Sequence, residues 1–293
     1  MGTAGGSGVI PTPLNYFMLM TNAKISGKAH GRQQRKPAWK AKSVAEFIGC
    51  VSEIDRIWTT KGKDPPDLWF RGHEINNWQL KPLLYRARED EGELRVEFKR
   101  RARLFLNGIE PRNEWEWYFL MRHHGMPTRL LDWTDGALLA LYFAVRNKKS
   151  ETEAESNNDP KDAAVWVLDP AWLNAKSKSL KRWYIAIPEA EEVQRWLPED
   201  PYARRGLLLP NPVAIDPPHF LARISAQRSH FTLFGRKKNG LLSLANNDSK
   251  RRIEKIEIVG ESVSKIRDDL EISGVTETSV FPDLDALVRE LTD

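Results

Sequence analysis

Polar residues that could do chemistry stand in three otherwise apolar stretches of the chain. In LWFRGHEINNWQLKPLLYR, Arg71 ends an aromatic segment and is followed by a glycine; a buried guanidinium at such a place needs an anionic partner. MRHHGMPTRLLDWTDG packs several polar side chains between two apolar helices: His123, His124, Thr128, Arg129, Asp132, Trp133 and Thr134. In RISAQRSHFTLFG, Gln227 interrupts an apolar strand and turn.

Each stretch also has a purely structural interpretation. Arg71 could pair with a carboxylate that holds the fold together, and Gln227 could be an ordinary edge-strand residue. Arg129 and Asp132 could form a structural ion pair, with Asp132 or Thr134 capping the next helix. A metal site is weakly indicated, because adjacent histidines rarely chelate one ion from a helix.

Composition and missing motifs exclude several classes of protein. The chain has 293 residues, a net charge of +5 and one cysteine, Cys50, so a disulfide framework or a multi-cysteine zinc site is excluded. GxxxxGK[ST], GxGxxG, HExxH and GxSxG are absent. Without a long apolar run or a secretory leader, the sequence predicts a cytoplasmic protein that makes no membrane contact. The mild basic excess permits contact with phosphate groups.

The elements that position these residues can be placed by periodicity. Residues 1–42 lack periodicity and are predicted to form a flexible basic tail, and a capping box at Ser43 begins the first helix. Further helices are predicted in GELRVEFKRRARLFLNG, NEWEWYFLMRHHG, DGALLALYFAV and FPDLDALVREL. Strands are predicted in LWFRG, AVWVLDP and IEKIEIV, and a strand, turn and strand in ARISAQRSHFTLFG. Helices dominate the first half and strands the second, so we predict an α+β fold.

The three stretches together resemble the FRG domain, a bacterial and phage-associated family named for a Phe-Arg-Gly signature. The resemblance rests on WFRG, WQLKPLLYR, RHHGMPTRLLDWTDGALLALYFAV, ISAQRSHFTLFG and ISGVTETSVFPDLDAL. It implies that residues 43–293 form a single domain. It also implies a fold like that of ADP-ribosyltransferases, with helices packed on a small, split, mostly antiparallel β core.

The resemblance implies an NAD-dependent ADP-ribosyltransferase-like enzyme that modifies a protein or nucleic acid, as a toxin or antiphage effector would, with an antitoxin or regulatory partner. NAD would be the substrate, and no metal is implied. Catalytic roles would fall to Arg71, His123, Asp132 and Gln227, and dinucleotide contacts to Arg71, Gly72, Thr128, Arg129 and Trp133. No clear catalytic glutamate stands at the later-strand motif. Two alternatives therefore stay open: a non-enzymatic module that binds a nucleotide or a protein, and a nucleic-acid-binding protein that uses the basic face from Lys99 to Arg103.

Overall fold

The computed structural model describes residues 39–61, 64–87, 89–106, 108, 111–146, 161–177, 185–188, 191–194, 196–197, 210–218 and 220–292. Most of the predicted tail lies outside these residues. Its end does not behave as a tail, because Trp39–Ala41 forms strand β1, which pairs in parallel with the strand Ile253–Ile258. The predicted boundary at residue 42 is therefore wrong: regular structure begins no later than Trp39.

The described strands form one sheet. In chain order they are β1 (Trp39–Ala41), β2 (Trp69–His73), β3 (Leu130–Thr134), β4 (Ala163–Leu168), β5 (Val213–Ile215), β6 (Ser229–Leu233) and β7 (Ile253–Ile258). Their order across the sheet is β1-β7-β4-β2-β3-β6-β5. All neighbouring strands are antiparallel except β1 and β7. The predicted mostly antiparallel β core of an α+β fold is confirmed.

The sheet is divided at its centre. β2 pairs with β4 over five residues and β3 pairs with β6 over five, but β2 and β3 pair only at Phe70 and Thr134. Two half-sheets, β1-β7-β4-β2 and β3-β6-β5, therefore meet at one residue pair and diverge beyond it.

Helices are interspersed with strands throughout the described residues. They are α1 (Val44–Trp58), α2 (Glu91–Ala102), α3 (Glu114–His123), α4 (Ala137–Val145), α5 (Pro170–Lys176), α6 (Glu191–Gln194), α7 (Ala222–Ala226), α8 (Gly240–Asn246), α9 (Val263–Ile272), α10 (Glu277–Val280) and α11 (Leu284–Thr292). Single 3₁₀ turns cover Leu83–Tyr85, Arg103–Phe105 and Gly260–Ser262. The predicted concentration of helices in the first half is wrong, because the short helices of the second half carry too few turns to show a period in the sequence.

Successive residues of a strand point to opposite faces of the sheet. Apolar residues occupy both sets of positions, so both faces of the sheet are covered. One face carries two clusters: α1, α4 and α9 pack around Phe70, while α2 and α3 pack around Phe231. The opposite face carries Trp69 and Trp133 beneath α5 and α8. The predicted apolar helix is α4, which packs directly against β2 and β4. No helix within the described residues is long and apolar enough to cross a membrane.

Candidate functional site

Arg71 bridges the gap between the two half-sheets. Its Nη1 donates to the backbone carbonyl oxygen of Asp132 at 2.7 Å and to the Asp132 Oδ2 at 3.4 Å. The side chain is mostly buried, so the guanidinium takes the place of the strand pairing that ends beyond Phe70 and Thr134. The anionic partner that a buried Arg71 requires is therefore Asp132 of β3.

A second arginine holds the same carboxylate. Arg122, in the last turn of α3, donates from Nε to the Asp132 Oδ1 at 2.9 Å, and its Nη2 forms a short ion pair with Oδ2. Burial alone would raise the pKa of Asp132, but the charges of Arg122 and Arg71 outweigh it and lower the pKa to about 2. The Asp132 side chain is nevertheless 37% exposed, so one edge of an ionised carboxylate is accessible to a ligand.

Two further arginines add positive charge around this pair. Burial and the charge of Arg122 lower the pKa of Arg86, and Arg86 in turn helps to lower the pKa of Arg71 to about 10. Arg223, whose guanidinium lies 4.5 Å over the Phe281 ring, has its pKa lowered by burial and by neighbouring arginines that include Arg122. We call Arg71, Arg86, Arg122 and Arg223 the arginine cluster.

The charges in the cluster do not balance. Asp132 lies between Arg71 and Arg122, whereas neither Arg86 nor Arg223 has a carboxylate within ion-pair distance among the described residues. Asp283 also acts on Arg223 electrostatically, so four guanidinium groups share two carboxylates and create a positive potential that an anionic ligand would relieve. Guanidinium groups are also the side chains best suited to bidentate recognition of phosphate.

Histidines around the cluster are neutral near pH 7. The Nε2 of His73 accepts a hydrogen bond from the Arg71 Nε at 3.2 Å, and burial with the Arg71 charge holds the His73 pKa well below its usual value. Burial and the charge of Arg223 lower the pKa of His123 to about 4 and also lower that of His124. Within the described part of the chain, no group of His, Cys, Asp and Glu side chains is arranged to hold a metal ion.

Arg129 is a structural residue, contrary to the expectation that it contacts a dinucleotide. It is fully buried, pairs with Glu91 at 2.6 Å, and donates to the carbonyl oxygen of Phe234 at 3.1 Å. The alternative Arg129–Asp132 ion pair is also wrong, because Asp132 pairs with Arg71 and Arg122 instead. Thr128 is likewise fully buried.

Trp133 and Gly72, which were predicted to contact a dinucleotide, both make close contacts within the protein. Trp133 is buried, and its Nε1 donates to the Thr232 hydroxyl at 2.9 Å. A Cβ on Gly72 would lie 2.1 Å from the carbonyl oxygen of Ala140 in α4. Glycine is therefore required here because helix α4 approaches the β2 backbone closely.

Gln227 lies outside the strand on which it was predicted. The segment before it forms α7 rather than a strand, Gln227 is the residue that follows this helix, and β6 begins at Ser229. Its amide donates to the carbonyl oxygen of Val280 at 3.4 Å instead of to Asp132 or Arg71. The structure thus brings together Arg71 and Asp132, places His123 beside Arg223, and leaves Gln227 at the end of α7.

Sequence reasoning missed Arg86, Arg122 and Arg223 as site residues. Arg122 had a usable signal, because it occupies the last turn of the helix that carries His123. Arg86 directly follows a 3₁₀ turn, and Arg223 lies on a five-residue helix. Both segments are too short to show a hydrophobic period in the sequence.

The basic face of α2 is largely neutralised by neighbouring carboxylates. Arg100 and Arg101 both pair with Glu97, while Lys99 pairs with Glu114. Ion pairing on an exposed helix face is typical of a solvated surface and does not favour the phosphate-binding interpretation of this helix.

Comparison with known proteins identifies one family. A sequence model described as the FRG domain matches residues 66–153, a range that includes β2, α3, β3 and α4 and therefore Arg71, Arg122 and Asp132. No curated protein and no solved structure matches the chain.

Proposed function

We propose, from the premise that the chain contains an FRG domain over residues 66–153, that the arginine cluster binds the diphosphate of NAD. The chain would then transfer ADP-ribose from NAD to a macromolecular target, as a toxin or antiphage effector would. The observation that carries the proposal is the excess of four guanidinium groups over two carboxylates, Asp132 and Asp283, around the split in the sheet.

The members of the cluster have different roles in this proposal. Arg71 and Arg122 are held rigidly by Asp132, so their positions are fixed before a ligand arrives. Arg86 and Arg223 have no carboxylate within ion-pair distance among the described side chains and supply the charge that the phosphates neutralise. Fixed positive groups of this kind bind an anion with little reorganisation.

The transfer step would break the bond between nicotinamide and ribose and join the ribose to a nucleophile of the target, with release of nicotinamide and a proton. Positive charge develops on the ribose as this bond breaks. The accessible edge of the ionised Asp132 carboxylate is suited to stabilise that charge. A pKa of about 2 makes the same carboxylate a poor proton acceptor, so its role is electrostatic.

Calorimetric titration with NAD, combined with an assay of nicotinamide release in the presence of cell lysate, tests the proposal. We expect Arg223→Ala and Arg86→Ala to weaken NAD binding by about tenfold or more each, since each removes an unpaired charge. Asp132→Asn is expected to lower turnover by a factor on the order of a hundred while NAD affinity changes little. Arg236→Ala, which removes an exposed arginine after β6, is the matched control.

The outcomes separate the parts of the proposal. Wild-type protein that fails to bind NAD would overturn it, as would undiminished binding in folded Arg86→Ala and Arg223→Ala variants. Melting temperatures of all variants exclude loss of folding as the cause of any change.

A non-enzymatic nucleotide-binding module is the second candidate. It is favoured by the engagement of Asp132 with two arginines and by the composition of β6, Ser229–Leu233, which contains no carboxylate. NAD binding without nicotinamide release would support this candidate over transfer.

A further inference from the structure

Helix α11 carries an apolar stripe that faces solvent. Four aliphatic side chains spaced by three and four residues share one side of the helix, and each is exposed: Leu284 (79%), Leu287 (42%), Val288 (59%) and Leu291 (76%). The other side is anchored, because Ala286 is buried in the core and Arg289 pairs with Glu277 at 2.8 Å. A contiguous exposed stripe of this kind marks an interaction surface.

The surface around the stripe is acidic. Residues 263–292, which span α9–α11, contain seven acidic residues and three basic residues, Lys265, Arg267 and Arg289. Five of the acidic residues are exposed: Asp268, Glu271, Asp283, Asp285 and Glu290. A partner for this surface should therefore combine apolar side chains with positive charge.

The amino-terminal part of the chain has this composition. Residues 14–20, LNYFMLM, contain one polar residue, Asn15. The following residues 21–38 contain five Lys or Arg residues and no acidic residue. These residues precede Trp39, which packs against the same core cluster that contains Ala286 of α11.

The connection is long enough for this contact. Eighteen residues separate Met20 from Trp39. They reach about 60 Å when extended, and their average end-to-end distance as a flexible chain is roughly 24 Å. A second exposed apolar surface lies at Leu104 and Phe105, after helix α2.

We propose that residues 14–20 bind in cis to the apolar stripe of α11, with the basic residues 21–38 against the acidic surface of α9–α11. The contact tethers the amino-terminal segment to the far end of the chain. It is independent of NAD binding by the arginine cluster.

Disulfide trapping in the full-length chain tests this contact. The chain's single cysteine is first removed by Cys50→Ser, and Phe17→Cys is then combined with Leu287→Cys. The matched control combines Phe17→Cys with Leu104→Cys, the exposed position on the other apolar surface. We expect an intramolecular cross-link between residues 17 and 287 that forms about tenfold faster than the control cross-link, because docking raises the local concentration of the two thiols.

Charge supplies a second readout. Asp285→Lys in the trapping variant, or salt at about 1 M, should slow the cross-link between residues 17 and 287, since either change weakens the attraction of the basic connection. Equal rates for the two cysteine pairs in folded proteins would overturn the proposal. Cross-linking only between chains would overturn it as well and would assign the stripe to self-association.

Discussion

Arg129 and Arg122 are both buried arginines of the same segment, but their partner carboxylates differ in accessibility. Arg129 and Glu91 are closed off from solvent, and the Arg129 guanidinium also donates to the Phe234 carbonyl. Arg122 pairs with Asp132, whose carboxylate keeps an accessible edge. The first pair holds α2 and α3 to β3, while the second presents a charged surface.

The Arg129–Glu91 pair makes a stability prediction. Glu91→Gln leaves a buried guanidinium without its counter-charge and should lower the free energy of unfolding by about 3–5 kcal/mol. Asp132→Asn should cost only about 1 kcal/mol, because water screens a carboxylate that is more than one-third exposed. Urea unfolding of both variants measures the difference. Equal losses would contradict the assignment of Arg129 as the structural residue.

His123 predicts a pH dependence. Its pKa is about 4 in the folded chain, below the ordinary value of 6.5, because of burial and the charge of Arg223. The unfolded chain therefore takes up a proton as the pH falls below 6.5, and the folded chain does so only near 4. Stability from neutral His123 is complete above the unfolded pKa and is lost progressively between these two values.

His123→Gln should remove part of that loss. Unfolding free energies at about pH 7.5 and about pH 5 should differ less in the variant than in the wild-type protein. His73 and His124 also have lowered pKa values, so some acid sensitivity should persist. An unchanged difference would contradict the burial of His123 in its neutral form.

At the scale of elements, the contact between α4 and β2 depends on one residue without a side chain. A Cβ on Gly72 would lie 2.1 Å from the carbonyl oxygen of Ala140 and 2.7 Å from the amide of Ala144. Both atoms belong to the helix backbone, which cannot move without displacing α4 from the sheet. The position of β2, and with it that of Arg71, thus depends on this close approach.

Gly72→Ala should therefore destabilise the protein by at least about 1–3 kcal/mol through overpacking. Gly49→Ala is the matched control, since a Cβ there meets no atom within 4 Å and alanine is a better helix former. We expect the control to be neutral or stabilising in thermal and urea unfolding. A Gly72→Ala protein as stable as the wild type would contradict the contact.

At the scale of the whole molecule, β1 closes one edge of the sheet from a segment outside the family match. Trp39–Ala41 pairs with Ile256–Ile258, and Glu257 receives both an ion pair from Lys40 and a hydrogen bond from Asn76 at 3.0 Å. Ala41 is fully buried. The edge of the sheet is thus completed by residues that carry no periodic signal.

Truncation at two points should separate the roles of this segment. A chain that begins at Ser43 loses β1 and should melt several degrees lower than the full-length chain. A chain that begins at Pro37 keeps β1 and should lose much less. Differential scanning calorimetry on both chains makes the comparison, and equal melting temperatures would contradict a structural role for β1.

The sequence could predict elements whose period is strong. Helix α4 is apolar on nearly all sides, and β4 and β7 show clear strand patterns. The sequence therefore predicts the position of each element to within a few residues. The sequence predicts Arg71 as a site residue, because its apolar neighbours leave the charged side chain little access to solvent. The burial of Gly72 against α4 could not be predicted, because the sequence does not show which helix crosses which strand.

Other site residues could be predicted only in part. The interpretation of Arg129 failed because its partner, Glu91, is distant in the chain and close only after α2 packs against α3. The prediction that Gln227 lies on a strand was wrong, because the five-residue helix before it is too short for a hydrophobic period to be recognised in the sequence. Arg86 and Arg223 come near Arg122 through tertiary packing alone.

Because β2 and β3 share a single residue pair, we expect the two half-sheets to unfold as separate cooperative units. Backbone hydrogen bonds transmit rigidity within β1-β7-β4-β2 and within β3-β6-β5, but few cross from one unit to the other. Arg71 and Asp132 form a side-chain contact between the two half-sheets. An anion that binds the arginines would strengthen the contact between the two half-sheets. Part of its binding free energy would then appear as a higher free energy for unfolding one half-sheet separately from the other.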